Sequence, residues 1–95
     1  MAITVVIDGV TAAVTLASAI EFPISSRALV TADYLKVGQN AIVYRKGPSG
    51  NYLPATNEKG AIALSAYPNT AVIDGPGLYK ITKDLSDEAY VGYEE

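Results

Sequence analysis

The sequence predicts an all-β chain, a small antiparallel β-sandwich or jelly-roll-like barrel with an N-terminal β-hairpin. Three observations carry that expectation. No apolar pattern at helical spacing persists for three turns. β-Branched residues are plentiful and the chain holds seven tyrosines against one phenylalanine and no tryptophan. Turn-forming residues recur every few positions and divide the chain into seven or eight short segments.

Taken in order, Ile3 to Ile7 and Val10 to Leu16 flank Asp8-Gly9, a dipeptide suited to a two-residue hairpin turn. In that register Ile7 faces Val10, Val5 faces Ala12 and Ile3 faces Val14, all on one side. Residues 1–18 therefore read either as a hairpin folded on its own domain or as an arm lying on a neighbouring subunit. From Ala17 to Gly38 the pattern is broken by Pro23 and two serines, and ADYLKVG fits either a strand or a turn of helix. A second hairpin follows, with strand AIVYR, turn KGPSG and strand NYLPAT, in which Pro54 points to an edge. Ile42 and Tyr44 are expected to face inward and Arg45 outward. Ala61 to Tyr67 reads as a strand with Ile62, Leu64 and Ala66 on one face. Pro68-Asn69-Thr70 turns into Ala71 to Asp74, and Gly75-Pro76-Gly77 punctuates the chain before Leu78 to Lys83. A last strand runs from Ala89 to about Tyr93. The span 39–95 is the most regular, and 1–95 reads as one domain without repeat or linker.

Composition narrows the function. A chain of 95 residues buries only ~60 to 65% of the surface its unfolded form exposes. With no cysteine it has no disulfide to add stability. Charged residues are 18% and apolar residues 49% of the chain, so part of the neutral surface is expected to contact other subunits. Ten acidic residues outweigh seven basic ones, and the basic ones form no run, which argues against nucleic acid. No window approaches the ~18 apolar residues of a membrane span. No secretory signal pattern is visible, since the first basic residue is Arg27 and Asp8 interrupts the apolar start, so synthesis in a cytoplasm is expected.

Without histidine or cysteine the chain cannot build a Ser-His-Asp triad, a Cys-His pair, a thiol redox centre or a usual zinc site. The local acidic cluster Asp84, Asp87 and Glu88 lacks the glycine and spacing of a calcium loop and reads as a solvated turn. KGPSG matches no phosphate-binding pattern and reads as a turn as well. No enzymatic activity, metal or cofactor is expected. Tyrosine is the enriched chemistry; it offers a broad contact area with a hydroxyl at little entropic cost. Tyr44 and Tyr79 are read as core. The candidate protein-contact residues are Ile3, Val5, Val6, Tyr52, Tyr90 and Tyr93.

The run YRKGPSGNYLPAT, followed by KGAIALSAYPNTAVIDGPGLYKITK, resembles the small accessory virion proteins of tailed bacteriophages. The likeness covers roughly residues 41 to 83 and lies in strand and turn grammar, including the Gly-Pro-Gly entry to a strand with Tyr and a basic residue. It carries no catalytic residues. It implies a capsid decoration or cement protein on the virion surface, partnered with the major capsid protein or other virion subunits and forming a dimer or trimer. A head-tail or tail-associated subunit, and a carbohydrate-binding or adhesion module, stand as alternatives.

Overall fold

The structure is a computed structural model that describes residues 3–95, so the first two positions of the expected 1–95 domain lie outside it. Among the described residues eleven strands run β1 Thr4–Val10, β2 Phe22–Ile24, β3 Arg27–Asp33, β4 Ala41–Lys46, β5 Tyr52–Pro54, β6 Thr56–Asn57, β7 Gly60–Ala61, β8 Ala63–Leu64, β9 Thr70–Asp74, β10 Gly77–Lys83 and β11 Ala89–Glu94. They form one sheet in the order β1-β11-β3-β9, a second in the order β2-β10-β4-β5 with β8 also on β4, and the small ribbon β6-β7. All pairings are antiparallel.

The two sheets are joined by a folded ribbon. The chain through β2 and β3 pairs throughout with the chain through β9 and β10, and both cross from one sheet to the other at the same corner. There Gly75 adopts φ 108°, a region that side chains disfavour, and its N–H donates to Ser26 O at 2.7 Å. The Tyr79 hydroxyl donates to Gly75 O at 2.8 Å and holds the corner from inside. The expected Gly-Pro-Gly punctuation is therefore a sheet-to-sheet crossing.

The core lies between the sheets. Ala28, Val30, Ala32, Ile73, Ala89 and Val91 come from the first sheet; Phe22, Ile24, Ala41, Val43, Leu64, Tyr79 and Ile81 come from the second. Strict alternation in β10, with Tyr79 and Ile81 inward, is as the sequence predicts. β5 with Pro54 sits at an edge, also as predicted.

Several expectations are corrected. Asp8-Gly9 is not a hairpin turn: that turn needs positive φ at both residues, and only Gly9 has it, at 66°. The pair forms a bulge instead, and β1 runs on through it to pair with β11. A second irregularity between Val5 and Ile7 turns both Val6 and Ile7 into the core and leaves Ile3 and Val5 outside. Val10 ends β1 and Thr11 to Leu16 forms no strand; Val14 makes a two-bond bridge with Lys83, and Leu16 O accepts from Lys80 Nζ at 2.9 Å. In β4 the inward residues are Ala41 and Val43, so Ile42 and Tyr44 lie half-buried on the outer face. Ala61 to Tyr67 breaks into β7 and β8; Ile62 and Leu64 are buried, whereas Ala66 is exposed in the turn that carries the cis Tyr67–Pro68 bond. In the ambiguous stretch 17–38, β2 and β3 form, with Pro23 tolerated because β2 is an edge.

Lys83 is only 3% exposed. Its Nζ donates to Ala12 O at 2.6 Å, Asp84 O at 3.1 Å and Ser86 Oγ at 3.1 Å, so all three ammonium hydrogens have acceptors. It ties the segment after β1 and the β10–β11 connection to the same end of the sandwich. Burial holds its amine below the ordinary lysine value, with the nearby Asp84 carboxylate opposing that shift.

Candidate interaction surface

The outer face of the first sheet carries the largest coherent set of exposed apolar side chains. Register places Val5, Gly92, Thr31 and Thr70 in one row across β1, β11, β3 and β9; Leu29 and Val72 stand together in the next, beside Glu94. Ile3, at the mouth of β1, lies over Gly92. A methyl group on Gly92 would come within 2.5 Å of Ile3 Cγ2 and 3.0 Å of Thr4 O, so the bare glycine lets Ile3 lie flat against the sheet. At the far end of the face Tyr90 packs on Tyr34, ring centroids 5.9 Å apart. Ile3, Val5, Leu29, Tyr34 and Tyr90 are each between 37% and 66% exposed. Tyr34 is held at φ 66°, an uncommon conformation for a bulky residue, and thereby aims an aromatic ring outward where β3 ends.

The electrostatics of this face are one-sided. Arg27 and Asp74 oppose each other across β3 and β9 at 3.5 Å and cancel. Among the described residues Asp8, Asp33 and Glu94 form no ion pair. A partner surface that complements it is apolar at the centre and basic at its margin.

The candidate contact residues separate into three groups. Ile3, Val5 and Tyr90 come together on this face. Val6, 8% exposed, is core, because the bulge turns it inward. Tyr93 is half-buried and stacks on Phe22 with centroids 4.6 Å apart, so it too is packing. Tyr52 lies on the outer face of the second sheet. Its hydroxyl donates to Glu21, which also approaches Lys46, and Lys80 Nζ stands 4.9 Å from its ring centroid. Burial and that carboxylate push the Tyr52 hydroxyl up to about 12. Leu29, Val72 and Tyr34 were not legible as contacts. In RALVTAD the small alanines point inward and the larger Leu29 outward, so side-chain size misleads about which face is the core.

The remaining polar groups are engaged structurally. Asp84 accepts the Asn40 N–H at 3.0 Å and Asp87 pairs with Lys36. Among the described residues no three carboxylates gather to hold a metal. KGPSG closes the β4–β5 turn through Gly47 N–H to Asn51 O at 2.8 Å. A cleft of about 550 Å³ opens between the edges β5 and β9 over Ile62, Ile73 and Tyr79. Its guanidinium, from Arg45, donates to Pro76 O at 2.7 Å.

No family model matches the chain. No curated protein matches it either. Among solved structures, the crystal structure of the SPBc2 prophage-derived protein YomS is similar, with TM-score 0.62 and 10% identity over 97% of this chain and 88% of that one; the likeness is one of fold.

Proposed function

We propose that this chain is a non-enzymatic structural protein of a bacteriophage virion, a decoration protein that docks on the capsid through the outer face of its first sheet. The observation that carries the reading is that face: an exposed apolar centre built from Ile3, Val5, Leu29, Tyr34 and Tyr90 on a domain with few charges. Its acidic margin favours a partner with a basic rim, such as the major capsid protein or another virion subunit, over nucleic acid or an anionic membrane. The fold shared with a prophage-derived protein supports a phage setting. The lack of histidine and cysteine supports a role without catalysis or cofactor. In this reading the chain is made in the host cytoplasm, associates with further copies of itself and ends on the capsid surface, where weak contacts gain strength by repetition.

The test is co-sedimentation with purified particles, with Leu29→Asp as the probe. The native chain is expected at fixed stoichiometry with the shell protein. Leu29→Asp, at an exposed position, is expected to lower affinity about tenfold or more, equivalent to about 1.4 kcal/mol, with its melting temperature within about 3 °C of native. Fixed stoichiometry with tails alone would move the protein to a head-tail or tail position. Recovery only in the soluble fraction refutes the virion reading.

A further inference from the structure

The second sheet extends beyond the first on the side of β5. Alternation in β4 sets Arg45 on the inner face with Ala41 and Val43, and register places Leu53 beside Arg45 on that same face. Leu53 is nonetheless 56% exposed, because the first sheet ends at β9 and lays no strand over it. The space left is the cleft of about 550 Å³ floored by Ile62, Ile73 and Tyr79.

The strand beside that space has an open and regular edge. Among the described residues the other edges of the two large sheets are blunted, β2 by Pro23, β5 by Pro54 and β1 by two bulges. β9 pairs with β3 at five successive positions without a bulge and holds no proline or glycine. Gly75 N–H bonds Ser26 O at one end of that ladder, and Ala32 N–H bonds Asn69 O at the other. Ladder bonds alternate along a strand, so Ala71 and Ile73 bond β3, and the N–H and C=O groups of Val72 and Asp74 point away from it beside the cleft. The mouth of the cleft is basic. Arg45 lies against Gly77, where an added methyl would stand 3.1 Å from its Nε, and it donates to Pro76 O at 2.7 Å. That bond fixes the guanidinium, and among the described residues Arg45 forms no ion pair. Lys46 lines the same mouth, and the carboxylate there, Asp74, is paired with Arg27.

We propose that this cleft takes an extended peptide segment of a partner protein, added to the first sheet along β9, with apolar side chains at alternate positions over Leu53 and a carboxylate on Arg45. Each part of the site specifies one part of that occupant. Unpaired backbone groups on a regular edge require an extended main chain, which a small molecule does not supply. An inner-face leucine without cover requires apolar side chains at period two, aimed between the sheets. A fixed guanidinium with free donors requires a carboxylate, held by charge-assisted hydrogen bonds. The segment becomes the strand that the first sheet lacks opposite β5. The site lies at the opposite edge of that sheet from Ile3 and Val5, so it stands apart from docking through the outer face.

The experiment selects on the immobilised chain from a displayed library of random peptides of about twelve residues. The recovered sequences are then titrated as free synthetic peptides while amide exchange is followed residue by residue. The expected peptides alternate apolar residues, carry Asp or Glu toward one end, and protect the Val72 and Asp74 amides while those of β1 stay unchanged. Arg45→Glu is expected to weaken peptide binding at least about tenfold, with a melting temperature within about 3 °C of native. Val72→Pro, which removes an outward N–H and no bond to β3, is expected to weaken it similarly. Val37→Asp, at a position 93% exposed outside the cleft, retains native affinity. The exchange pattern of the native chain decides the matter independently of either variant. Recovery of no peptide above background, peptides that leave Val72 and Asp74 exchange unchanged, or undiminished binding to the Arg45→Glu chain each overturn the proposal. Because no particle is present, these outcomes are separate from the co-sedimentation result: a chain that takes peptides and ignores particles refutes only the virion reading, and one that binds particles and takes no peptide refutes only the cleft.

Discussion

Replacing Lys83 with methionine tests how one buried ammonium organises an end of the sandwich. Methionine keeps most of the stem volume, so the change removes donors without opening a large cavity. Three charge-assisted hydrogen bonds disappear, to Ala12 O, Asp84 O and Ser86 Oγ. At about 1.5 to 3 kcal/mol each, less several kcal/mol of desolvation returned when the buried charge is removed, the net loss is about 2 to 3 kcal/mol. For a domain of this size that lowers the melting temperature by roughly 8 to 24 °C. Thermal unfolding by circular dichroism at pH 7 measures it. Amide exchange should show the loss concentrated at Val14 and Ser86, whose N–H groups bond Lys83 O and Thr11 O. The pH dependence has a definite sign. Burial lowers the folded-state value of this amine below the ordinary 10.5, so the folded state releases its proton first. The cost of the buried charge is carried in full below the folded value and is relieved as pH rises toward 10.5. The native chain therefore gains stability relative to Lys83→Met across that window. A melting temperature within about 3 °C of native at pH 7, with unchanged exchange at Val14, would show that water serves these acceptors equally well.

Three further outcomes are expected. Gly92→Ala drives a methyl into Ile3 and the Thr4 carbonyl; a cost of about 1 to 3 kcal/mol, with exchange increased in β1 and not in β10, is the expected pattern, and an unchanged melting temperature contradicts the packing. Tyr52→Phe tests the hydroxyl raised to about 12 by burial and Glu21: its contribution is complete below pH 10 and is lost as pH climbs toward 12, so the native chain's advantage over the variant should vanish across that interval in denaturant titrations. Glu95→Gln addresses the acid side. The Ser25 N–H and hydroxyl donate to Glu95 Oε1 at 2.6 and 2.8 Å and lower its carboxyl below the ordinary value. That contribution is present above the unfolded value and fades as pH falls through the folded one, so the variant should show a shallower loss of stability below pH 4.5; identical acid profiles would rule it out.

How far the candidate surface was legible follows from what each residue depends on. Ile3, Val5 and Tyr90 were found because apolar side chains in strands beside polar turns are signals of local chemistry. Val6 and Tyr93 fall on unexpected sides because the side of Val6 depends on a bulge set by β11, about 85 residues further along the chain, and that of Tyr93 on the ring of Phe22, seventy-one residues back. Leu29 was not legible because two of the three inward residues of its strand, Ala28 and Ala32, are alanines, whose suitability for the core is decided by how closely the second sheet approaches.

The sequence by itself determined that the chain would be built of short antiparallel strands, that β4 and β5 would form a hairpin with Pro54 at an edge, and that Tyr79 and Ile81 would share an inner face. These follow from period-two alternation and from turn residues acting over a few bonds. Only the tertiary structure decided that Asp8-Gly9 bulges instead of turning, that the Gly75 corner passes the chain between sheets, and that Lys83 is buried. Each depends on a partner distant in sequence: β11 against β1, Ser26 against Gly75, Ala12 against Lys83. A dipeptide that can either turn or bulge takes the form that pairs more backbone, and that choice is made by the strand that arrives beside it.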